Sequence, residues 1–132
     1  FFAPAAGPVV KEECGSCHLA FAPSMLPARS WQRMMGELDN HFGDNASLDP
    51  ATAEKITSYL VANAGDAGGQ RYSSKLLKGV ATGAAPQRIT ELPKWVSEHR
   101  KVPDWEWRHK EVRTKANCVA CHTAAEQGYY EE

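Results

Sequence analysis

A five-residue frame that occurs twice carries most of the constraint on this chain. Cys14-Gly15-Ser16-Cys17-His18 and Cys118-Val119-Ala120-Cys121-His122 both read C-x-x-C-H. Residues three and four apart share one face of a helix, so the two thiols of each frame point the same way. The adjacent imidazole projects from the same turn. One ligand needs that triad: a porphyrin held by two thioether bonds, with the histidine on its iron. Paired cysteines also make zinc knuckles, disulfides and redox dithiols, but none of these requires a histidine directly after each second cysteine. With 5 His in 132 residues, meeting that twice by chance is roughly a one-in-a-thousand event. All 4 cysteines are used. The frames therefore call for two covalently bound haem c groups, attached through Cys14, Cys17, Cys118 and Cys121, with His18 and His122 as proximal iron ligands.

Thioether attachment is made outside the cytoplasm in bacteria, which sets the periplasm as the expected compartment. No charged stretch precedes an apolar one at the start, so any signal peptide is expected to have been removed. No apolar run approaches the 18 residues of a membrane span. The chain is 42% hydrophobic and 23% charged with a formal net charge of -1. Those are ordinary globular proportions, with no overall basic excess to suit nucleic acid. The 10 Gly and 8 Pro imply short elements and much irregular chain.

The patterning is helical throughout. Trp31, Met34, Met35, Leu38 and Phe42 recur at helical spacing behind Ser30 as a candidate N-cap. Asp49-Pro50 reads as a cap followed by proline at the first helical position, opening a helix through Ile56, Tyr59 and Leu60. A short helix is expected over residues 93–100, and a long one over residues 104–122 leading into the second frame. No β alternation is present. The expected fold is all-α with substantial coil. Its glycine-rich stretch at residues 64–69 is the expected boundary between an N-terminal haem domain, residues 1–66, and a C-terminal haem domain, residues 67–132. Charge divides there too: 4 basic against 8 acidic residues before the boundary, 11 against 8 after it. Residues 71–115 alone hold 11 basic and 5 acidic side chains.

A second axial ligand must come from His41, His99, His109 or a methionine. Met34 and Met35 lie on an apolar helical stripe and read as core filler. His41, at the end of that stripe, can lean over the iron held by His18. In a continuous helix His109 sits half a turn out of phase with Cys118, whereas His99 precedes Val102-Pro103 on a separate segment that can fold over. His99 is the preferred ligand for the second iron.

Cys14 to His18 with Ala22-Pro23, the Trp31 helix ending Asn40-His41-Phe42-Gly43, and Glu98-His99-Arg100 with Ala116-Asn117-Cys118 and His122 resemble the DHC family of bacterial dihaem cytochromes c. The resemblance spans most of residues 12–130. It implies a class I cytochrome c-like N-terminal lobe and a small irregular C-terminal haem lobe. It also implies bis-histidine ligation, His18 with His41 and His99 with His122. As partners it implies an SHP-type oxygen-binding monohaem cytochrome c and a membrane b-type cytochrome.

Two haems on so short a chain leave 66 residues for each, too few to bury both macrocycles. Exposed edges and six-coordinate iron suit a monomeric electron carrier with no catalytic residues rather than an enzyme. Histidine as sixth ligand forgoes the rise in potential that methionine brings. Two other readings stand beside this one. One is the small dihaem subunit of a periplasmic reductase such as nitrate reductase. The other, of a different class, is a haem enzyme or gas sensor with one open iron site.

Overall fold

A computed structural model describes residues 1–67 and 73–130. Among the described residues six α-helices stand in chain order: α1 Pro8–Gly15, α2 Ala28–Gly36, α3 Pro50–Ala62, α4 Ser73–Leu76, α5 Pro93–His99 and α6 Asp104–Trp107. Single turns of tighter helix lie between and after them, at Pro23–Met25, Leu38–Asn40, Ile89–Glu91, Cys118–Ala120 and Ala125–Gln127. The described residues contain no strand, only an isolated antiparallel bridge between His41 and Asp44.

Proline opens α1, α3 and α5, as a residue without an N–H should at a position whose N–H has no helical partner. Asp49 caps α3 as the sequence predicts: its side chain accepts the Thr52 backbone N–H at 3.0 Å. Two expectations change. Ser30 is not a cap, because α2 begins two residues earlier, and its side chain is fully buried. The helix predicted to run to Phe42 ends at Gly36 and re-forms as the turn at Leu38–Asn40. Glycine inside a helix costs about 1 kcal/mol relative to alanine, and this one marks the break.

The larger correction concerns residues 104–122. Instead of one long helix there are α6 and the turn at Cys118–Ala120. Arg113 between them sits at φ 67°, a left-handed conformation that no α-helix contains.

Among the described residues, apolar side chains from both sides of the expected boundary pack together. Val10 of α1, Leu26, Trp31 of α2, Ile56 and Leu60 of α3, and Leu92 at the start of α5 form a single buried cluster. The Trp31 indole N–H is satisfied by the Pro23 carbonyl at 2.8 Å. Gly65, in the predicted glycine-rich boundary, is required by close approach: a Cβ there would lie 2.5 Å from the Ser24 carbonyl oxygen and 2.7 Å from Leu77. Gly68 and Gly69 of that stretch, and Arg71 of the basic run, lie outside the described residues. At the opposite pole the Phe2 N–H donates to the Gly128 carbonyl at 2.9 Å. Gly128 stands at φ 92°, where a side chain would run into the Phe2 carbonyl and the Phe1 ring.

Candidate haem centres

The first frame straddles the end of α1: Cys14 is in its last turn, and Cys17 and His18 follow its C-terminus. Val10 anchors α1 in the core, which fixes where the frame emerges. His18 Nδ1 lies 2.7 Å from the Leu19 carbonyl oxygen. A carbonyl only accepts, so Nδ1 carries the proton and Nε2 keeps its lone pair. Facing it, with ring centroids 6.3 Å apart and planes at 24°, is His41.

His41 is presented by a tight turn. Its N–H donates to the Asp44 carbonyl at 2.6 Å and its carbonyl accepts the Asp44 N–H at 3.1 Å. Phe42 and Gly43 at the tip have φ 52° and 95°, the two positive values of a type I′ turn. Burial holds the His41 imidazole below the usual histidine range, with the charges of His18 and Arg88 adding to it against Asp44. A neutral imidazole is the form that binds a metal.

The second frame lies in the turn at Cys118–Ala120, and His122 N–H donates to the Cys118 carbonyl at 2.8 Å. The ring opposite is His99, 6.2 Å away by centroids with planes at 78°. It is the last residue of α5, and its Nδ1 lies 2.7 Å from the carbonyl of Trp95 one turn earlier. The same tautomer follows, with Nε2 left as the donor. Trp95 stacks on His99 at 4.1 Å and 14°, and Trp107 of α6 flanks both rings. On the other side of the pair, Tyr130 packs 5.4 Å from His122 and meets the Phe2 ring edge-on. Burial pushes the Tyr130 phenol well above its ordinary range.

His109 is exposed and outside any helix; its Nδ1 accepts the Glu111 N–H at 3.1 Å. Its exposure agrees with the expectation of a surface residue, but the helical phase invoked for it does not exist. Met34 and Met35 pack partly buried against the core, as expected of filler.

A family model described as dihaem cytochrome c (DHC) matches residues 10–130. The chain belongs to the DHC family.

It is similar in structure to the diheme cytochrome c of Rhodobacter sphaeroides, at 42% identity and a TM-score of 0.86, over 96% of this chain and 98% of that one. It also resembles a diheme cytochrome type c of Shewanella baltica, at 34% identity and a TM-score of 0.75, over 94% and 86% of the two chains. No curated protein sequence matches it. As a dihaem cytochrome c it carries two haem c groups and is an electron-transfer protein rather than an enzyme.

The side chains fit that cofactor. A metal about 2 Å from each of two facing imidazole nitrogens, with each ring centre roughly 1 Å further back, sets centroids roughly 6 Å apart. Both pairs have that spacing. Among the described residues no three His, Cys, Asp or Glu converge on one point, so a porphyrin must supply the remaining donors of a six-coordinate iron. Burial raises the Cys14 and Cys118 thiols above their usual range, and an uncharged thioether suits such half-buried positions. A cavity of about 740 Å³ opens beside His18 and Cys17 and is also lined by Val112, Arg113, Thr114, Ala116, Asn117 and Val119.

The aromatic frame escaped the sequence reading. Trp95 was legible, four residues before His99 and so on its face of the helix. Phe42 is the chain neighbour of His41, whereas Tyr130 had no such signal, because tertiary packing brings it to His122.

Proposed function

We propose that the chain is a periplasmic electron carrier holding two bis-histidine haems, His18 with His41 and His99 with His122, attached through Cys14 and Cys17 and through Cys118 and Cys121. One observation carries this reading: both frame histidines face a second histidine at the separation a shared iron requires. Bound there, each haem supplies a one-electron ferric–ferrous couple. His18 with His41, and His99 with His122, would hold the two irons, which would leave no open site for a substrate. The Leu19 and Trp95 carbonyls also lock the imidazole tautomers of His18 and His99, which orients one ligand of each pair. The two haem-bearing halves divide at residues 66 and 67, the first being class I cytochrome c-like. The partners are redox proteins: an SHP-type monohaem cytochrome c as acceptor and a membrane b-type cytochrome as donor. The basic residues of the second half favour an acidic docking face on one of them.

The test is spectroscopic. The oxidised holoprotein should lack the near-infrared charge-transfer band of methionine-ligated haem, and the reduced protein should bind carbon monoxide only slowly at neutral pH. A methionine band, or fast and complete carbon monoxide binding at either iron, overturns the ligand assignment.

A further inference from the structure

The turn that presents His41 is closed by its two hydrogen bonds to Asp44 and by the Gly43 N–H on the Asn40 side chain, but it holds one residue in a strained conformation. Phe42 sits at φ 52°, a left-handed backbone that is unfavourable for a non-glycine residue. Its ring is 45% exposed, so burial does little to hold it. What it does touch is specific. One neighbour is the His41 ring, at 4.7 Å. The other is the guanidinium of Arg88, 4.1 Å from the Phe42 centroid, well within the range of a cation–π contact.

Arg88 comes from the second half of the chain, and its segment is tied down on the first. The Arg29 side chain of α2 donates to the carbonyls of Ala81, at 3.0 Å, and Ala84. Gln87 donates to the Ser30 carbonyl at 3.3 Å. Residues 81–88 thus run as a strap across α2, and Arg88 is delivered to the turn by contacts that do not involve the turn itself. A ring held between a fixed guanidinium and an imidazole is a clamp. If Arg88 is removed, the left-handed Phe42 is free to relax, and His41 moves with it.

We propose that Arg88 is a positioning residue for His41: by stacking on Phe42 it sets how long His41 stays on the first iron. The proposal rests on the reading of His41 as an axial ligand. Arg88 has a second partner, Glu91, at 3.6 Å, but that pair is exposed on both sides and such pairs contribute little.

Carbon monoxide binding to the reduced holoprotein reports the effect. At saturating carbon monoxide the rate at a six-coordinate iron is limited by departure of the sixth ligand. Arg88→Ala should raise that limiting rate at one haem roughly twofold to fivefold, the equivalent of one exposed cation–π contact, and leave the other haem unchanged. Arg88→Lys should restore part of the difference. Phe42→Leu should raise the rate as Arg88→Ala does, and the double variant should add little to either alone. Glu91→Gln should behave as the unsubstituted protein. An unchanged rate in Arg88→Ala, or strictly additive effects with Phe42→Leu, overturns the proposal. His41→Ala separates this from the reading beneath it. If His41→Ala binds carbon monoxide without a limiting step at one haem, His41 is the ligand and only the role of Arg88 is at stake. If it does not, the ligand assignment itself fails.

Discussion

An imidazole serves a metal well when its far nitrogen is held by a fixed acceptor, and His18 and His99 are held by backbone carbonyls. The second centre adds a stacked tryptophan, so His99 is bounded by Trp95 along its face and tied to the same residue's carbonyl. Histidines 99 and 109 therefore differ in kind, although the sequence offers both. His99→Ala should convert one haem to a form that binds carbon monoxide rapidly and turns high-spin when oxidised. His109→Ala should leave both haem spectra unchanged, since its imidazole is exposed and its one hydrogen bond is to Glu111 of its own turn. High-spin haem in the His109 variant would reverse the assignment.

Among the helices, α3 shows how much a single cap controls. The Asp49 carboxyl is held below the usual carboxylate range by the Thr52 hydroxyl, at 2.6 Å, and by the Thr52 N–H. Its folded-state value is lower than its unfolded one, so its stabilisation is complete above the ordinary carboxylate range and is lost as pH falls through and below it. Asp49→Asn keeps a side-chain cap without the titrating charge. The variant should melt a few degrees below the unsubstituted protein at neutral pH. That gap should close as pH is lowered toward 3, which thermal unfolding by circular dichroism can follow. A gap that stays constant with pH would show that the charge contributes nothing. Because α3 carries Ile56 and Leu60 into the same cluster as Val10, loosening its start also loosens the helix on which the first C-x-x-C-H frame rides.

Across the whole molecule the two halves are fastened at several places. Leu92 is wholly buried in the core it shares with α1 and α3, the 81–88 strap crosses α2, and Phe2 meets Gly128. Charge nevertheless remains divided along the chain, with a local excess of 11 basic over 5 acidic residues in 71–115. Such an excess acts on encounter rate and is screened over about 8 Å at physiological ionic strength. Electron transfer with the partner that docks on this half should slow as ionic strength rises, measured by stopped-flow mixing from low to high salt. A flat or rising rate would reduce the basic stretch to a solvated surface.

The covalent chemistry was fully legible in the residues. A C-x-x-C-H frame is local, five residues long, and its meaning depends on composition and spacing alone. The cap at Asp49, the proline helix starts and the helical class were legible for the same reason, since each is settled by neighbours in the chain. The long helix expected over 104–122 was not formed, because Arg113 takes a left-handed turn that no local pattern announced. His41 and His99 could be nominated from a short supply of histidines. Bringing each to about 6 Å from its partner, over separations of 23 residues in both cases, was decided by tertiary structure. So was the arrival of Arg88 at Phe42 and of Tyr130 at His122. These contacts join parts of the chain that local patterns do not relate, and no spacing rule reaches that far.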